Sequence, residues 1–283
     1  MTRLGVLALL ATSLSVVSPR LATAQWVEEP GSGWAALTIY HQATNRVFDP
    51  DGGRMGFPGR GRSVTTAAFG TVAWGLVPGV DAWAQLPVQR LWFRDPTGER
   101  SASGLGDLRL YLRGAPLRFL DLDAPVAVRV GVKLPVGDFD VGTDLLPLGD
   151  GQRDWEALLE VGRSFHPRPG YGMVWLGYRW REPSEPGWVE LGNEWIIYAA
   201  AGGEVGPVTL KGAVDGWYGS PPILNGVRAK GAEREILRVS PSLQLSLGPG
   251  ELEVGGRIPV AGRNLPAGAE VVLGYFVRLG GDD

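Results

Sequence analysis

Charged side chains alternate with apolar ones along several strand-like segments, and these charged groups are the residues with which the chain could do chemistry. In residues 126–134 every even-numbered position is apolar, and Arg129 and Lys133 lie at positions between them. Successive side chains of a strand point to opposite faces, so one face of this segment is apolar and the other carries the cations. The same reasoning over the other segments gives our candidate site residues: Asp107, Arg109, Arg129, Lys133, Glu156, Glu160, Glu194, Lys211, Arg238 and Arg257.

A second set of carboxylates is dense enough to raise the question of a metal site. Its members are Asp138, Asp140, Asp144, Asp150 and Asp154. Calcium prefers oxygen ligands of this kind. Their spacing matches no known calcium loop, however, and an acidic surface loop explains them equally well. We therefore predict neither a metal site nor a cofactor.

Catalytic motifs are missing from the sequence. The two histidines, His41 and His166, lie in different segments. The chain contains neither a Gly-x-Ser-x-Gly elbow nor a His-Glu-x-x-His pair. A triad assembled from distant strands, with Ser240 or Ser242 and His41, stays open as an alternative, since geometry rather than order defines such a site. We predict that the protein is not an enzyme.

The composition favours an all-β protein. The 283 residues include 43 glycines and 22 prolines, which disfavour helix interiors. Aromatic and β-branched residues recur throughout, so a folded chain is expected rather than a disordered one. The net charge is −3 and no basic block is present, which argues against nucleic acid as a partner. No feature of the sequence specifies an oligomeric state.

The N-terminus has the features of a secretory signal peptide. Arg3 supplies the positive charge, residues 4–17 form an apolar stretch, and Ala22-Thr23-Ala24 provides small residues for cleavage. The apolar stretch is shorter than the roughly 20 residues that a membrane-spanning helix needs. We expect export of the chain, with residues 1–24 removed and residues 25–283 forming a single domain.

Twelve segments are predicted to be strands, most of them 10–15 residues long by our assignment, which suits strands that cross a membrane. Short Gly/Pro turns at 77–79, 166–170, 202–204 and 248–250 alternate with longer polar connections at 44–62, 95–104, 137–151, 182–187 and 219–231. The connection at 115–124 and the last one depart from this alternation. Short turns at one end and long loops at the other are typical of an antiparallel outer-membrane β-barrel.

Alternation by itself fits a soluble sandwich with its apolar face inside as well as a barrel with that face turned to lipid. Export, strand length and aromatic residues near the strand ends favour the barrel, because such rings prefer the membrane interface. The aromatic residues in question are Trp34, Trp74, Trp92, Trp155, Trp180, Trp188, Trp217 and Tyr218. The predicted fold class is therefore all-β, an up-and-down transmembrane barrel of about twelve strands in the outer membrane.

Three short motifs carry a resemblance to a known family. They are Gly104-Leu105-Gly106-Asp107, Leu134-Pro135-Val136-Gly137-Asp138, and Leu148-Gly149-Asp150-Gly151 with Asp154. The chain resembles the bacterial outer-membrane family named for a meta-pathway of phenol degradation, whose members are often labelled transporters. The resemblance implies a barrel of about twelve strands and a part in passing small, often hydrophobic or aromatic, compounds. It implies no catalytic residues.

Three functional hypotheses follow from the sequence. The first is a barrel that passes or binds small, hydrophobic or aromatic molecules, with outer-membrane lipid around it. The second is a barrel with a closed lumen and a structural or surface-binding role. The third is a soluble periplasmic β-sandwich that binds a ligand. Acids and bases are balanced on the predicted inner faces, so ion pairs that narrow the lumen are expected in the first two cases.

Overall fold

The computed structural model describes residues 27–120, 125–137, 146–165, 167–183 and 189–280. The predicted signal peptide, His166, Trp188 and the acidic residues Asp138, Asp140 and Asp144 lie outside the described residues. In the described part of the chain, no helix is long and apolar enough to cross a membrane.

Twelve antiparallel strands form the wall of the fold, and the fourth consists of two consecutive segments. Their bounds are β1 Ser32–Thr44, β2 Arg62–Val77, β3 Val80–Asp95, β4 Gly98–Leu105 and Leu108–Gly114, β5 Val126–Leu134, β6 Asp154–Ser164, β7 Gly170–Arg181, β8 Glu194–Val205, β9 Val208–Gly219, β10 Glu235–Leu247, β11 Gly250–Arg263 and β12 Glu270–Gly280.

The sheet closes on itself. Each strand pairs with its neighbours in sequence, and β1 pairs with β12 in a register that sets Ser32 opposite Gly280. The two segments of β4 count as one strand because both pair with β3, where Leu105 faces Val88 and Gly114 faces Val80. The fold is thus a closed antiparallel barrel of twelve strands, as the sequence predicted.

The connections follow the predicted alternation with two corrections. Residues 95–104 are not a loop, because β3 and β4 continue as a paired hairpin around a two-residue turn at Pro96-Thr97. The eighth strand runs from Glu194 to Val205 rather than from 188 to 201, so the turn lies at Gly206-Pro207. Gly206 has a φ of 63°, which a glycine adopts without strain.

Smaller elements occur at both ends of the barrel. At the long-loop end, Arg46–Phe48 pairs with Arg54–Gly56 in the connection from β1 to β2. Short strands at Val189–Glu190, Ile223–Leu224 and Val227–Arg228 form a second small sheet. At the short-turn end, a short 3-10 helix at Pro116–Leu120 lies in the connection from β4 to β5.

The strands turn their apolar faces outward. Val128 and Val130 on β5 and Leu176 on β7 are 40%, 49% and 51% exposed, while the residues between them are largely buried inside. Two of the aromatic residues predicted at the membrane interface do not belong there. Trp34 contacts Trp83, two strands away, with ring centroids 5.0 Å apart, and Trp217 lies under Arg238 in the interior. Trp74, Trp155 and Trp180 do face outward.

Candidate functional site: the charged barrel interior

Many charged side chains of the wall point into the barrel. On a closed barrel, inward side chains converge and outward ones diverge, so a contact between strands that are not neighbours must lie inside. Lys211 of β9 reaches Glu253 of β11, with 3.1 Å between the Nζ and Oε1 atoms. Arg113 of β4 comes within 3.6 Å of Glu160 of β6. The polar faces therefore surround the lumen.

Lys133 is the centre of the first ion-pair cluster. Its Nζ atom lies 3.1 Å from Asp107, 2.8 Å from Asp150 and 2.9 Å from Asp154. The lysine side chain is 1% exposed, so the three carboxylates supply the charge compensation that burial requires. The backbone N–H of Asp150 also donates to the Asp107 carboxylate, at 3.0 Å.

Three separate stretches of sequence meet in this Lys133 cluster: the first Gly/Asp motif through Asp107, the third through Asp150 and Asp154, and Lys133 itself, which directly precedes the second motif. Leu148 is buried, and its carbonyl accepts a hydrogen bond from the side chain of Gln89. Gly149 packs so closely that an added Cβ would lie 2.3 Å from the Asp107 carboxylate. The glycine in the third motif is therefore required by the close approach of the loop to the β4 strand. Residues 146–152 of the long β5–β6 connection consequently dock against the inside of the wall.

Asp150 is the loop carboxylate in this cluster. Burial alone would raise its pKa, but Arg181 and Lys133 outweigh that effect and hold the pKa of Asp150 well below its usual range. Asp150 therefore stays ionised over the whole physiological pH range and keeps its contact with Lys133.

Two arginines of β7 extend the Lys133 cluster. Arg179 donates to Glu156 at 2.7 Å and to Glu194 at 2.5 Å, and Arg181 donates to Glu194 at 2.8 Å. Glu156 also accepts from the Tyr111 hydroxyl at 2.9 Å. Neither arginine is among the predicted site residues. The signal that could have found them is the alternation itself, since Arg179 and Arg181 flank the outward-facing Trp180.

A further group of ion pairs lies nearer the short-turn end. Asp81 is fully buried and accepts from the Arg113 guanidinium at 2.5 Å, while Arg129 contacts Glu160 at 2.7 Å. The Arg129 guanidinium also lies 4.7 Å from the ring centroids of both Trp83 and Trp175. Aromatic rings this close to a cation stabilise it through their negative faces.

The opposite wall, from β9 to β12, carries its own pairs. Asp215 binds Arg238 at 2.5 Å and Arg257 at 3.2 Å. Glu270 completes this group through Arg257, at 2.9 Å. Lys211 and Glu253 form the remaining pair, and Ser242 donates to Glu253 at 2.6 Å.

The two walls differ in how much water reaches them. On the β3–β7 side the side chains of Lys133, Asp154 and Arg113 are at most 1% exposed. On the β9–β12 side the side chains of Lys211, Glu253 and Arg257 are 19%, 26% and 20% exposed. We call the β3–β7 half the packed side, because it holds the most deeply buried ion pairs, and the β9–β12 half the open side, because Lys211, Glu253 and Arg257 are more accessible there.

The segment just before β1 narrows the short-turn mouth. Val27 is buried against Ala115 and the inward-facing Ala127. The backbone N–H of Glu28 donates to Asp81 at 2.9 Å, and the Glu28 carboxylate pairs with Arg278 at 3.1 Å. Residues 27–31 therefore turn inward across the mouth instead of continuing the wall.

The predicted site residues are distributed over both walls. Asp107, Arg129, Lys133, Glu156, Glu160 and Glu194 belong to the packed side, and Lys211, Arg238 and Arg257 to the open side, each in an ion pair. Arg109 lies on an inner face opposite Lys133 in the strand register and makes no ion pair with any described residue. Asp81 and Asp154 are fully buried members of the interior that our candidate set did not include.

The alternative chemistries find no support in the described residues. His41 faces outward and shares a 2.9 Å hydrogen bond with Thr66, whereas Ser240 faces inward toward Asp215, so a triad of His41 with Ser240 is ruled out. Asp150 and Asp154, from the acidic set, are both paired with Lys133. Among the described residues no group of three or more potential metal ligands is assembled.

Comparison with solved structures shows that the fold is one found in outer-membrane proteins. The crystal structure of an outer membrane channel from Pseudomonas putida F1 is similar, with a TM-score of 0.74 at 14% sequence identity over 90% of this chain and 97% of that one. The β-domain of the Bordetella autotransporter BrkA gives a TM-score of 0.50 at 13% identity over 87% and 99% of the two chains. No protein-family model and no curated protein matches the sequence. At these identities the likeness shows the fold, which is that of an outer-membrane β-barrel.

Proposed function

We propose that this protein is an outer-membrane channel for small molecules, and that the molecules it passes are hydrophobic or aromatic. The observation that carries the proposal is the asymmetry of the interior. A barrel with a structural role has no need of accessible charges inside, yet the side chains of Lys211, Glu253 and Arg257 on β9–β12 are 19%, 26% and 20% exposed. The side chains of Lys133, Asp154 and Arg113 on β3–β7 are at most 1% exposed.

The lining of the open side supports an uncharged, partly aromatic solute. Lys211 and Glu253 neutralise each other, as do Arg257 and Glu270, so the wall offers little net charge to attract an ion. Aromatic rings accompany these pairs. The Arg257 guanidinium lies over the Tyr40 ring, 4.7 Å from its centroid, and the ring centroids of Tyr198 and Trp175 are 4.3 Å apart. Rings of this kind provide stacking surfaces for another aromatic molecule.

The resemblance of the three Gly/Asp motifs to the phenol meta-pathway family points to the same class of solute. The likeness to the Pseudomonas putida channel supports a channel of this general shape. The fold and its outward apolar faces support an outer-membrane location within lipid, and this location is part of our proposal together with the substrate class.

A closed barrel is the second candidate, and one observation favours it. Residues 27–31 and the docked loop 146–152 both occupy space inside the barrel. Ion pairs across the packed half fill much of the remaining cross-section. In this case the protein would carry no solute.

Flux through the purified protein distinguishes the two candidates. Reconstituted into a planar bilayer, the wild-type barrel is expected to give small conductance steps with weak ion selectivity, because the lining charges are paired. In liposomes it is expected to admit phenol-sized aromatic molecules faster than sugars of the same mass. Liposomes that admit neither solute faster than protein-free ones would support the closed barrel.

A charge reversal tests which wall lines the passage. Lys211→Glu removes a cation and places a second carboxylate beside Glu253 on the open side, so ion selectivity should shift toward cations. Arg163→Glu is the matched control, because Arg163 is exposed on the outside of the barrel. An unchanged reversal potential in Lys211→Glu, with conductance intact, would mean that solutes do not pass along β9–β12.

A further inference from the structure

The outer surface of β2 and β3 carries a pocket with two arginines near the long-loop end. It is a shallow cavity of about 400 Å³ lined by Arg62, Val64, Thr66, Arg90 and Trp92. Side chains alternate between the two faces of a strand, and these residues stand at even-numbered positions. They therefore lie on the same outward face as the exposed Val72 and Trp74 on β2 and the exposed Val88 on β3. We call this set the rim pocket.

The strand register assembles the rim pocket in rows. Thr66 faces Arg90 across the β2–β3 pair, and Val64 faces Trp92. His41 on β1 and Ser103 on β4 extend the Thr66–Arg90 row on either side. Two guanidinium groups, hydroxyl groups and an indole ring are therefore grouped on one part of the surface.

The two arginines of the rim pocket lack a protein counter-ion. Arg62 and Arg90 are exposed, and neither guanidinium group forms a salt bridge or hydrogen bond with any residue that the structure describes. The nearby Glu99 pairs with Arg94, at 3.8 Å. Arg62 also lies directly opposite Arg94 in the register, a pairing of like charges that disfavours the sheet. The interior of the barrel shows the opposite arrangement, since nearly all of its charges are paired.

Position and charge together identify the missing anion. We propose that the rim pocket binds the phosphate group of a phosphorylated glycolipid in the outer leaflet. In an outer-membrane barrel the long loops face the cell exterior, so the pocket lies at the level of the outer lipid headgroups. Arginine binds phosphate oxygens with two parallel hydrogen bonds, and hydroxyl groups such as Thr66 and Ser103 can add donors. Val64 and Trp92 would contact the adjoining acyl chain and the interface.

Thermal protection by lipid tests this site directly. The purified full-length barrel in detergent is mixed with a diphosphorylated disaccharide lipid, with the same lipid after removal of its phosphates, or with inorganic phosphate. The readout is the midpoint temperature of unfolding, at which half of the folded, fast-migrating form has been lost. Only the phosphorylated lipid is expected to raise the midpoint. An equal rise with the dephosphorylated lipid or with inorganic phosphate would overturn the proposal.

Variants locate the effect on the protein. Arg62→Gln combined with Arg90→Gln should weaken the apparent affinity for the phosphorylated lipid by about tenfold or more, since each charged hydrogen bond contributes substantially. The combination Arg62→Lys with Arg90→Lys retains the charge and should lose less. Arg163→Gln removes an exposed outward arginine at the opposite rim and should bind as the wild type does. Full affinity in the double glutamine variant, or an equal loss in Arg163→Gln, would contradict the assignment. If the glutamine variant does not fold, the comparison of the two lipids on the wild-type protein still decides.

Discussion

At the scale of single residues, the barrel interior shows how buried charges become tolerable. Lys133 is nearly inaccessible and contacts three carboxylates, and Arg179 bridges Glu156 and Glu194. A buried ion without partners is strongly disfavoured, so each of these groups depends on the others. Their removal one at a time should therefore cost far more than the loss of an exposed pair.

Lys133→Met is predicted to destabilise the barrel severely. The substitution leaves the buried Asp107 and Asp154, and the partly exposed Asp150, without their common cation, and breaking a buried pair typically costs about 3–5 kcal/mol. Urea unfolding followed by tryptophan fluorescence measures the effect. Arg118→Gln is the control, because the Arg118–Glu29 pair is about half exposed and should contribute no more than about 1 kcal/mol. Similar losses of unfolding free energy in both variants would show that Lys133 contributes no more to stability than an exposed ion pair does.

At the scale of elements, a glycine in one strand can give an inward-facing side chain of the next strand the room to lie across it. Gly131 of β5 faces Tyr111 of β4 in the register, and a Cβ at Gly131 would lie 2.1 Å from the Tyr111 ring. The missing side chain lets the ring lie flat over β5, where its hydroxyl reaches Glu156 on β6. The glycine thus links three strands through one tyrosine.

Gly131→Val is predicted to displace the Tyr111 ring and to lower the free energy of unfolding by about 1–3 kcal/mol through overpacking. Gly212→Val is the matched control. Gly212 is also a strand glycine, but a Cβ there meets no atom within 4 Å, and valine suits a strand. Chemical unfolding of both variants gives the comparison. A stable Gly131→Val variant would mean that Tyr111 does not depend on this position.

The segment before β1 is the second element with a testable role, because it crosses the short-turn mouth. Pro30 forms a bridge with Gly75 of β2, and a Cβ at Gly75 would lie 2.1 Å from the Glu29 carbonyl.

Gly75→Val is predicted to push residues 27–31 out of the mouth and to increase single-channel conductance above the wild-type value. Planar-bilayer recording measures the change. In Gly70→Val the nearest atom to the new Cβ is 3.9 Å away, so this variant should conduct as the wild type does. Equal conductance in Gly75→Val and the wild type would indicate that the segment does not limit passage.

At the scale of the whole molecule, closure of the sheet determines stability in a membrane. The pairing of β1 with β12 leaves the wall without a free edge, so its backbone hydrogen bonds are satisfied within the protein. The outward apolar faces can then contact lipid along the full circumference.

Fractionation of cells that express the protein tests this view together with the export signal. We predict a band in the outer-membrane fraction that migrates faster unboiled than boiled, because a folded barrel resists detergent until heated. N-terminal sequencing of that band should begin at Gln25 if the predicted signal peptide is cleaved after Ala24. A soluble periplasmic protein without a heat-dependent shift would be incompatible with a membrane barrel, and an N-terminus at Met1 would contradict the signal peptide alone.

Local patterns were sufficient to predict the fold class and most of the candidate interior. Alternation is a property of neighbouring residues, so Val128 and Arg129 could be assigned to opposite faces without knowledge of any other strand. Short Gly/Pro segments between strands predicted most of the hairpin turns, because a turn also depends on neighbouring residues. The prediction of a loop at 95–104 was wrong because pairing of β3 with β4 extends the strands beyond what either sequence indicates by itself.

Tertiary structure decided which charges meet and which wall stays open. Lys133, Asp107 and Asp150 are brought together by the docking of a long loop, and nothing in their spacing specifies that docking. Trp34 and Trp217 lie near strand ends, as the interfacial aromatic residues do, yet they face inward. Their direction is set by the alternation of side chains along the strand and not by their distance from its end. The exposure of β9–β12 depends on how all twelve strands close around the lumen, and closure is a property of the whole chain.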